Sequence, residues 1–288
     1  MKRISIYLTA LALCALNLSA QSSVWKISKG SQSVYLGGTC HMLRLSDYPL
    51  PKEYDLAYDA AETLVFEIDP TAMNDPAFAT QLMMKAAYND GRTLQTVLNK
   101  EAYDALAAQG ARSNLPIAIL NGMKPGMALM MLTMQELTKQ GVHQEGVDMY
   151  YSNRAQADGK AIQSLETVEF QIDILTSMGE GYESDFVLYS LKDLEKIGAF
   201  FDVLIQAWRE GDLDKLNTLF VEGMMAYPEL YQDLLVQRNL RWLPQIEAML
   251  ETPETEFVLF GVGHAVGDDG VLKLLETKGY SIERVIAK

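Results

Sequence analysis

Three histidines occur in this chain of 288 residues, His41, His143 and His264, and two of them close the same kind of segment. Gly38-Thr39-Cys40-His41 follows the apolar run Val34-Tyr35-Leu36, and Gly261-Val262-Gly263-His264 follows Phe257-Val258-Leu259-Phe260. With 20 glycines in the chain, a glycine three residues before a given histidine has a chance of about 0.07, so the repeated pattern carries information. Glycine at a strand end lets the backbone turn sharply and come close to a ligand, and a histidine three residues on is carried over the sheet edge. Two such edges side by side would aim both imidazoles at one point. Glu67, after Leu64-Val65-Phe66, adds a carboxylate at the end of a third strand. Two neutral imidazoles and one carboxylate leave a divalent zinc an open position for water, and manganese, cobalt or iron would also fit. A metal there brings the pKa of water towards about 7, which makes hydrolysis the economical reaction class.

Other residues invite chemistry less strongly. A strand-end histidine is also an ordinary hydrogen-bonded residue, and Glu67 could cap the turn that follows it. Cys40, beside His41, has the chemistry of a soft ligand or a nucleophile but reads better as a small buried thiol. His143 has Gln140 where the other two have glycine, and reads as a surface residue. Met123, Met127, Met130, Met131 and Met134 fall near helical spacing, the mark of a flexible apolar core rather than of copper ligands. Tyr227, Tyr231, Trp208 and Trp242 lie in the helical part, to pack there or to line a cleft. The chain has no GxGxxG, P-loop, HExxH or GxSxG motif.

The elements that must position these residues follow from periodicity. Val24–Ser28 and Ser33–Leu36 read as strands around a turn at Lys29-Gly30-Ser31-Gln32. Pro51 to Glu62 opens with proline and puts Tyr54, Ala57, Tyr58 and Ala61 on one face, which predicts an amphipathic helix. Thr63–Ile68 then reads as a buried strand, completing a strand–helix–strand unit of parallel pairing with a crossover helix. Helices are expected over 75–88, 100–109, 126–139 and 145–157, followed by a strand at Lys160–Ser164. Further helices over 168–178, 183–210 and about 227–251 predict a largely helical portion between about 170 and 252. The chain returns to the sheet at Glu256–Phe260, makes a helix over 270–277 and ends in a strand at Ser281–Ile286. The fold class is therefore α/β, a mixed and mostly parallel central sheet flanked by helices.

Composition narrows the function. Lys and Arg number 24 against 38 Asp and Glu, a formal charge of −14, which gives no attraction to nucleic-acid phosphates or an anionic membrane. Lys2 and Arg3 precede an uncharged stretch from Ile4 to Leu18 that closes on Leu18-Ser19-Ala20, the order of a secretory signal peptide over residues 1–20. Residues 21–288 then form a single domain, periplasmic or secreted, with no transmembrane segment, since the apolar run from Leu115 to Met134 is broken by Asn121, Lys124 and Pro125. Processing as a lipoprotein at Cys14 is disfavoured by Leu13, where a small residue is wanted. Loss of Cys14 leaves Cys40 alone, without an internal disulfide.

Taken in order, these elements resemble the TraB/PrgY/GumN family, related to the Tiki metalloproteases and more distantly to the erythromycin-esterase and ChaN-like proteins. The resemblance covers nearly all of the chain after residue 20. It rests on Val24-Trp25-Lys26, Tyr35 to His41, Val65-Phe66-Glu67-Ile68-Asp69, Gly146-Val147-Asp148, Leu165-Glu166-Thr167 with Gln171, Arg238-Asn239, and Phe260 to His264 with Gly267, Gly270 and Gly279-Tyr280. It implies a shared mixed α/β fold with a helical insertion and a metal-dependent hydrolase centre. His41, Glu67 and His264 then take the metal-site roles, and Arg238 falls on the family's arginine, suited to a substrate carboxylate or a developing oxyanion. Asn239 would orient that arginine, and Glu166 would be a general base or a partner to a histidine. Cys40 stands where the family more often has an apolar residue. Two functions are compatible with this pattern: an exported metal-dependent hydrolase, with a peptide or other small molecule as substrate, or a non-catalytic protein that sequesters a peptide or a haem-like ligand.

Overall fold

The computed structural model describes residues 21–225 and 227–287, so the signal sequence expected over residues 1–20, Cys14 included, lies outside the described residues. Eight strands are present among them: β1 (Gln21–Lys29), β2 (Gln32–Thr39), β3 (Met42–Arg44), β4 (Thr63–Phe66), β5 (Val142–Glu145), β6 (Ala161–Ser164), β7 (Glu256–Gly261) and β8 (Ser281–Ile286). The longer helices are α1 (Lys52–Ala60), α2 (Pro76–Ala86), α3 (Lys100–Arg112), α4 (Pro125–Lys139), α5 (Val147–Asp158), α6 (Val168–Ser177), α7 (Glu183–Leu194), α8 (Ile197–Glu210), α9 (Gln237–Met249) and α10 (Val271–Thr277). Six of the strands form one sheet in the order β6-β4-β7-β2-β1-β8, and β3 and β5 form a separate antiparallel ribbon. Within the main sheet β6, β4, β7 and β2 are parallel, while β1 runs antiparallel to both β2 and β8. The fold is α/β, as the sequence predicts.

The expected strand–helix–strand unit is present with one correction. α1 connects β2 to β4, and its predicted face of Tyr54, Ala57 and Tyr58 is buried, with Ala61 just beyond its end. β4 does not pair with β2, however, because β7 lies between them and pairs with both. The reason is burial: Phe257, Val258, Leu259 and Phe260 are wholly inaccessible, and a strand apolar on both faces needs a hydrogen-bonding neighbour on each edge. The glycine-rich end of β7 is thereby set directly beside that of β2.

Two further departures come from elements too short to show a period. The helix expected over 145–157 is α5, starting at Val147, preceded by the strand β5. β5 pairs with β3, Met42 opposite Glu145, so the segment just after His41 is tied to the segment just before α5. The helix expected over 183–210 divides into α7 and α8 because their buried faces serve different cores. Leu191 and Leu194 join Leu106, Leu129 and Leu132 in a helical core, whereas Phe201, Ile205 and Trp208 pack on the sheet. Of the methionine series, Met127 is buried, Met123 and Met131 border the helical core and Met134 is exposed. No helix among the described residues is long and apolar enough to cross a membrane.

α8 anchors the hairpin that carries His41. Trp208 is fully buried, and its Nε1 donates to the Gly38 carbonyl at 2.7 Å, where the Tyr54 hydroxyl also donates. Ser23 Oγ donates to the Trp208 carbonyl at 2.8 Å, closing the contact from β1. A buried indole and phenol of this size remove roughly 150–250 Å² each from water, and their polar atoms are satisfied by one strand-end carbonyl. The position of Gly38, three residues before His41, is thus fixed from both layers.

The opposite end of the sheet carries a carboxyl group with an unpartnered oxygen. Glu256, the first residue of β7, is 6% exposed, and its Oε2 has no hydrogen-bond partner. Burial, reinforced by Glu254, pushes its carboxyl from 4.5 up to about 7. Between these values the folded chain holds a proton that the unfolded chain has lost, so this group makes stability fall as pH rises from about 4.5 through 7. Glu256→Gln should therefore raise the thermal midpoint at pH 8 and leave it unchanged at pH 4. Parallel melting curves of the two proteins check this, and an equal shift at both pH values would refute it.

Candidate functional site

Four adjacent parallel strands end together, and each delivers one candidate residue. In sheet order, β6 leads to Glu166, β4 to Glu67, β7 to Gly261 and His264, and β2 to His41. Pairing of β4 with β6 continues past their ends, since Leu165 N–H donates to the Phe66 carbonyl and Glu166 N–H to the Glu67 carbonyl, each at 2.8 Å. The two glutamates are therefore neighbours by register. Between β2 and β7, Thr39 lies opposite Gly261, and the next residues, Val262–Ala265, form one 3₁₀ turn that carries His264 into the protein.

Gly261 is where the pieces meet. Its backbone N–H donates to Glu67 Oε1 at 2.6 Å. A Cβ at this position would stand 3.2 Å from His41 Nε2 and 3.3 Å from Glu67 Oε1, so a side chain would crowd both. Glu67 does not cap the following turn; Asp69 does, accepting from Thr71 N–H at 2.9 Å and Thr71 Oγ1 at 2.7 Å. That leaves the Glu67 carboxylate free for the site.

His41 is held from its far side. Its Nδ1 lies 2.9 Å from Asp148 Oδ2, and Asp148 Oδ1 accepts from Thr39 Oγ1 at 2.8 Å. Asp148 stands in the first turn of α5, and Val147 N–H donates to the Cys40 carbonyl at 3.0 Å. Gly146 makes this approach feasible, because a Cβ there would overlap the backbone of Cys40 and His41. The Asp148 charge pushes the imidazole of His41 up to about 9. Its side chain is 65% exposed and faces the cleft. Cys40 itself is buried, and burial pushes its thiol well above its ordinary value, as befits an apolar role.

His264 is 4% exposed, and its tautomer follows from its partners. Asn239 Nδ2 donates to the carbonyls of Asp269 at 2.8 Å and His264 at 3.4 Å, so its Oδ1 must be the atom 2.7 Å from His264 Nδ1. Nδ1 therefore carries the hydrogen. On the other side Nε2 lies 3.0 Å from Arg238 Nη1, and a guanidinium only donates, so Nε2 presents its lone pair. The imidazole is neutral, and its pKa is pushed down to about 3, first by burial and then by Arg238 and His41 against the charge of Glu67. The Trp242 ring lies against it, with centroids 4.3 Å apart.

Arg238 occupies the middle. Nη2 donates to Glu67 Oε2 and, at 2.9 Å, to Glu166 Oε2; Nε donates to Glu166 Oε1 at 2.9 Å; Nη1 serves His264 and, at 3.3 Å, the Leu234 carbonyl. Gln171 Nε2 bridges Glu67 Oε2 at 3.1 Å and Glu166 Oε2 at 3.2 Å, and Trp242 Nε1 donates to Glu166 Oε1 at 2.9 Å. Burial alone would raise the Glu67 carboxyl, but Arg238, both imidazoles and the Gly261 N–H outweigh it and hold that carboxyl well below the usual range.

The six residues singled out by sequence thus stand at one place: His41, Glu67, Glu166, Arg238, Asn239 and His264. Glu67 and His264 meet through the guanidinium rather than around an open point. Among the described residues no three His, Cys, Asp or Glu side chains are spaced to hold a metal ion as they stand. Asn239 orients His264 rather than Arg238. His143 is exposed, away from this cluster. Sequence reasoning missed Asp148, Gln171 and Trp242 as functional partners. Asp148 and Gln171 lie in stretches that the resemblance contains, and Trp242 falls one helical turn after Arg238.

A cavity of about 290 Å³ opens over the cluster. Its floor is His41, Glu67, Asp148, Gln171 and Arg238, and its walls include Ile68, Met73, Met149, Ile174, Leu175 and Leu234. A charged floor under apolar walls suits a chain with an apolar side group and a polar reacting centre.

Similar proteins include Metalloprotease TIKI2 of Danio rerio, 24% identical over 304 residues, covering 86% of this chain and 58% of that protein. Metalloprotease TIKI1 of Homo sapiens is 23% identical over 319 residues, 92% of this chain and 62% of that protein. A Metalloprotease TIKI homolog of Amphimedon queenslandica is 21% identical over 338 residues, 94% and 63% of the two chains. The chain thus spans about three fifths of the length of the curated relatives it matches. No solved structure matches it. The model of the TraB/PrgY/gumN family matches residues 23–284, a span that holds every residue of the cluster, and the chain belongs to that family.

Proposed function

We propose that this chain is an exported metal-dependent hydrolase that cleaves peptide bonds, with His41, Glu67 and His264 as the ligands of one divalent ion. The observation that supports it is the treatment of the two imidazoles. Each is held by a hydrogen bond at Nδ1, to Asp148 in one case and to Asn239 in the other, and each keeps its Nε2 on the inner side, His41 beside Gly261 and His264 against the guanidinium that also holds Glu67. Outer hydrogen bonds that fix ring orientation are what metal-ligating histidines require. Two imidazoles and one carboxylate also match zinc, manganese or cobalt in donor type, once His41 gives up the Nε2 proton that Asp148 favours. When bound, the ion would supply Lewis acidity for hydrolysis at neutral pH.

The remaining residues have roles that follow from their contacts. Asp148 and Asn239 set the two rings. Glu166, which accepts from Arg238, Trp242 and Gln171, is a positioning residue for the guanidinium rather than a free base. Arg238 lines the cleft and is suited to a substrate carboxylate or to the oxyanion that develops as a carbonyl is attacked. The apolar walls exclude water and take an apolar side chain of the substrate. The names of the relatives, metalloproteases at 21–24% identity, support the same reading.

Metal content tests the proposal. Elemental analysis of the purified chain after incubation with zinc, manganese or cobalt should find about one ion per chain. His41→Ala and His264→Ala should lose it while the circular dichroism spectrum persists. Retention of full metal by His264→Ala would refute the assignment, and no metal in the unaltered chain would favour a sequestering protein that uses the same cleft. Asn239→Leu leaves the donor atoms in place but releases the tautomer of His264. It should weaken metal binding by about 10–100-fold in a calorimetric titration.

A further inference from the structure

The position of Arg238 bears on how the site loads, and the inference rests on the metal-centre reading above. His264 has one lone pair to offer. Its Nδ1 hydrogen is committed to Asn239, and its Nε2 accepts from Arg238 Nη1 at 3.0 Å. An imidazole lone pair that receives an N–H cannot bind a cation at the same time. Glu67 Oε2 is likewise taken by Nη2 of the same guanidinium and by Gln171, while Oε1 receives the Gly261 N–H. One side chain thus covers an inward-facing donor on each of two residues that follow adjacent strands, β4 and β7.

We infer that Arg238 is a resident cation of this centre, which holds the donor atoms of Glu67 and His264 and must yield them when a divalent ion is taken up. The guanidinium is built for the exchange. Nε and Nη2 bind Glu166 in a two-pronged pair, so the side chain keeps an anchor that does not depend on Glu67 or His264. Trp242 supports it from below, with the guanidinium carbon 4.8 Å from the ring centroid, and holds Glu166 through Nε1. The exchange also joins loading to recognition. While Nη1 and Nη2 serve His264 and Glu67 they are occupied; once released, they are donors at the floor of the cleft, available to a carboxylate or a carbonyl oxygen of a peptide. Linkage then requires that an anionic peptide drawing on Arg238 strengthens metal binding by the same factor as the metal strengthens the binding of that peptide.

The test is a calorimetric titration of the full chain with zinc, comparing the unaltered protein with Arg238→Gln and Arg241→Gln. Both variants lose one positive charge, but Arg241 stacks on Phe170 and makes no contact with Glu67 or His264. The expected result is zinc binding at least about tenfold tighter in Arg238→Gln and unchanged in Arg241→Gln. Should Arg238→Gln fail to fold, Glu166→Gln keeps the guanidinium but removes its independent anchor, so Arg238 is left to Glu67 and His264 and zinc should bind more weakly than in the unaltered chain. In the unaltered chain, zinc should change the emission of Trp242, whose ring lies against Arg238 and His264. Equal affinity in all chains, or weaker binding in Arg238→Gln, would overturn the inference and leave the metal centre standing. No binding by any chain of zinc, manganese or cobalt would overturn both.

Discussion

The structure depends on one buried ion-pair network, Arg238 between Glu67 and Glu166. The parallel register of β4 and β6 forces those two carboxylates to be neighbours, and their side chains are only 10% and 4% exposed. Two buried carboxylates side by side repel each other. The guanidinium offsets this by bonding to both, and its planar fork matches carboxylate geometry in a way that an ammonium would not. Breaking such a pair leaves an uncompensated buried charge, at a cost of about 3–5 kcal/mol. The helical layer is therefore no mere cover for the sheet, since α9 supplies the counter-charge that lets two carboxylates end adjacent strands.

α9 does more than deliver a charge. Arg238 and Asn239 are consecutive, and Trp242 follows one turn later, so one helical face carries the cation, the residue that sets the tautomer of His264 and the ring that supports both. A wider π turn, Gln232–Val236, immediately precedes this face, and Leu234 within it accepts from Arg238 Nη1. Such turns widen a helix locally and recur at functional sites. Here the widening places the Leu234 carbonyl within reach of the guanidinium and its side chain in the cleft wall. Positioning of the site is thus shared between strand ends, which fix the acidic and imidazole groups, and one helix, which fixes their partner.

The parts of this arrangement that a linear reading reaches are those whose signal is local. The apolar runs Val34–Leu36, Leu64–Phe66 and Phe257–Phe260 are visible because each stops at glycine or at a charged residue, and they carry His41, Glu67 and His264 with them, although the strands themselves end at Thr39, Phe66 and Gly261. The amphipathic face of Tyr54, Ala57 and Tyr58 is visible for the same reason. The order of the strands is not, because β7 enters the sheet between β2 and β4 from the far end of the chain, and nothing in its own sequence names its neighbours. The ribbon of β3 and β5 consists of 3 and 4 residues, too few for a period to register. Partners at long range are equally hidden: Asp148 is 107 residues from His41, and Gln171 is 104 from Glu67. Arg238 and Glu166 are singled out by the family resemblance, yet the bond between them, 72 residues apart, decides what each can do.

The two ends of the central strands show why burial alone does not mark a functional carboxylate. Glu256 at the start of β7 and Glu67 at the end of β4 are about equally buried, 6% and 8% exposed, in neighbouring strands of one sheet. Their acidities move in opposite directions. Glu256 has an oxygen without a partner and other glutamates nearby, so desolvation dominates and the group tends to keep its proton. Glu67 has a guanidinium, a backbone N–H and two imidazoles around it, and these overcome the same desolvation and keep it ionised. The difference lies in what the ends of parallel strands offer. At the carboxyl ends the chain turns out through glycines that expose N–H groups and bring α9 close, which builds an environment for a negative charge. At the amino ends no such donors converge on Glu256 Oε2. A carboxylate kept charged in the interior, at the edge where four strands finish together, is a group held ready to bind a cation, and Arg238 is the cation it holds.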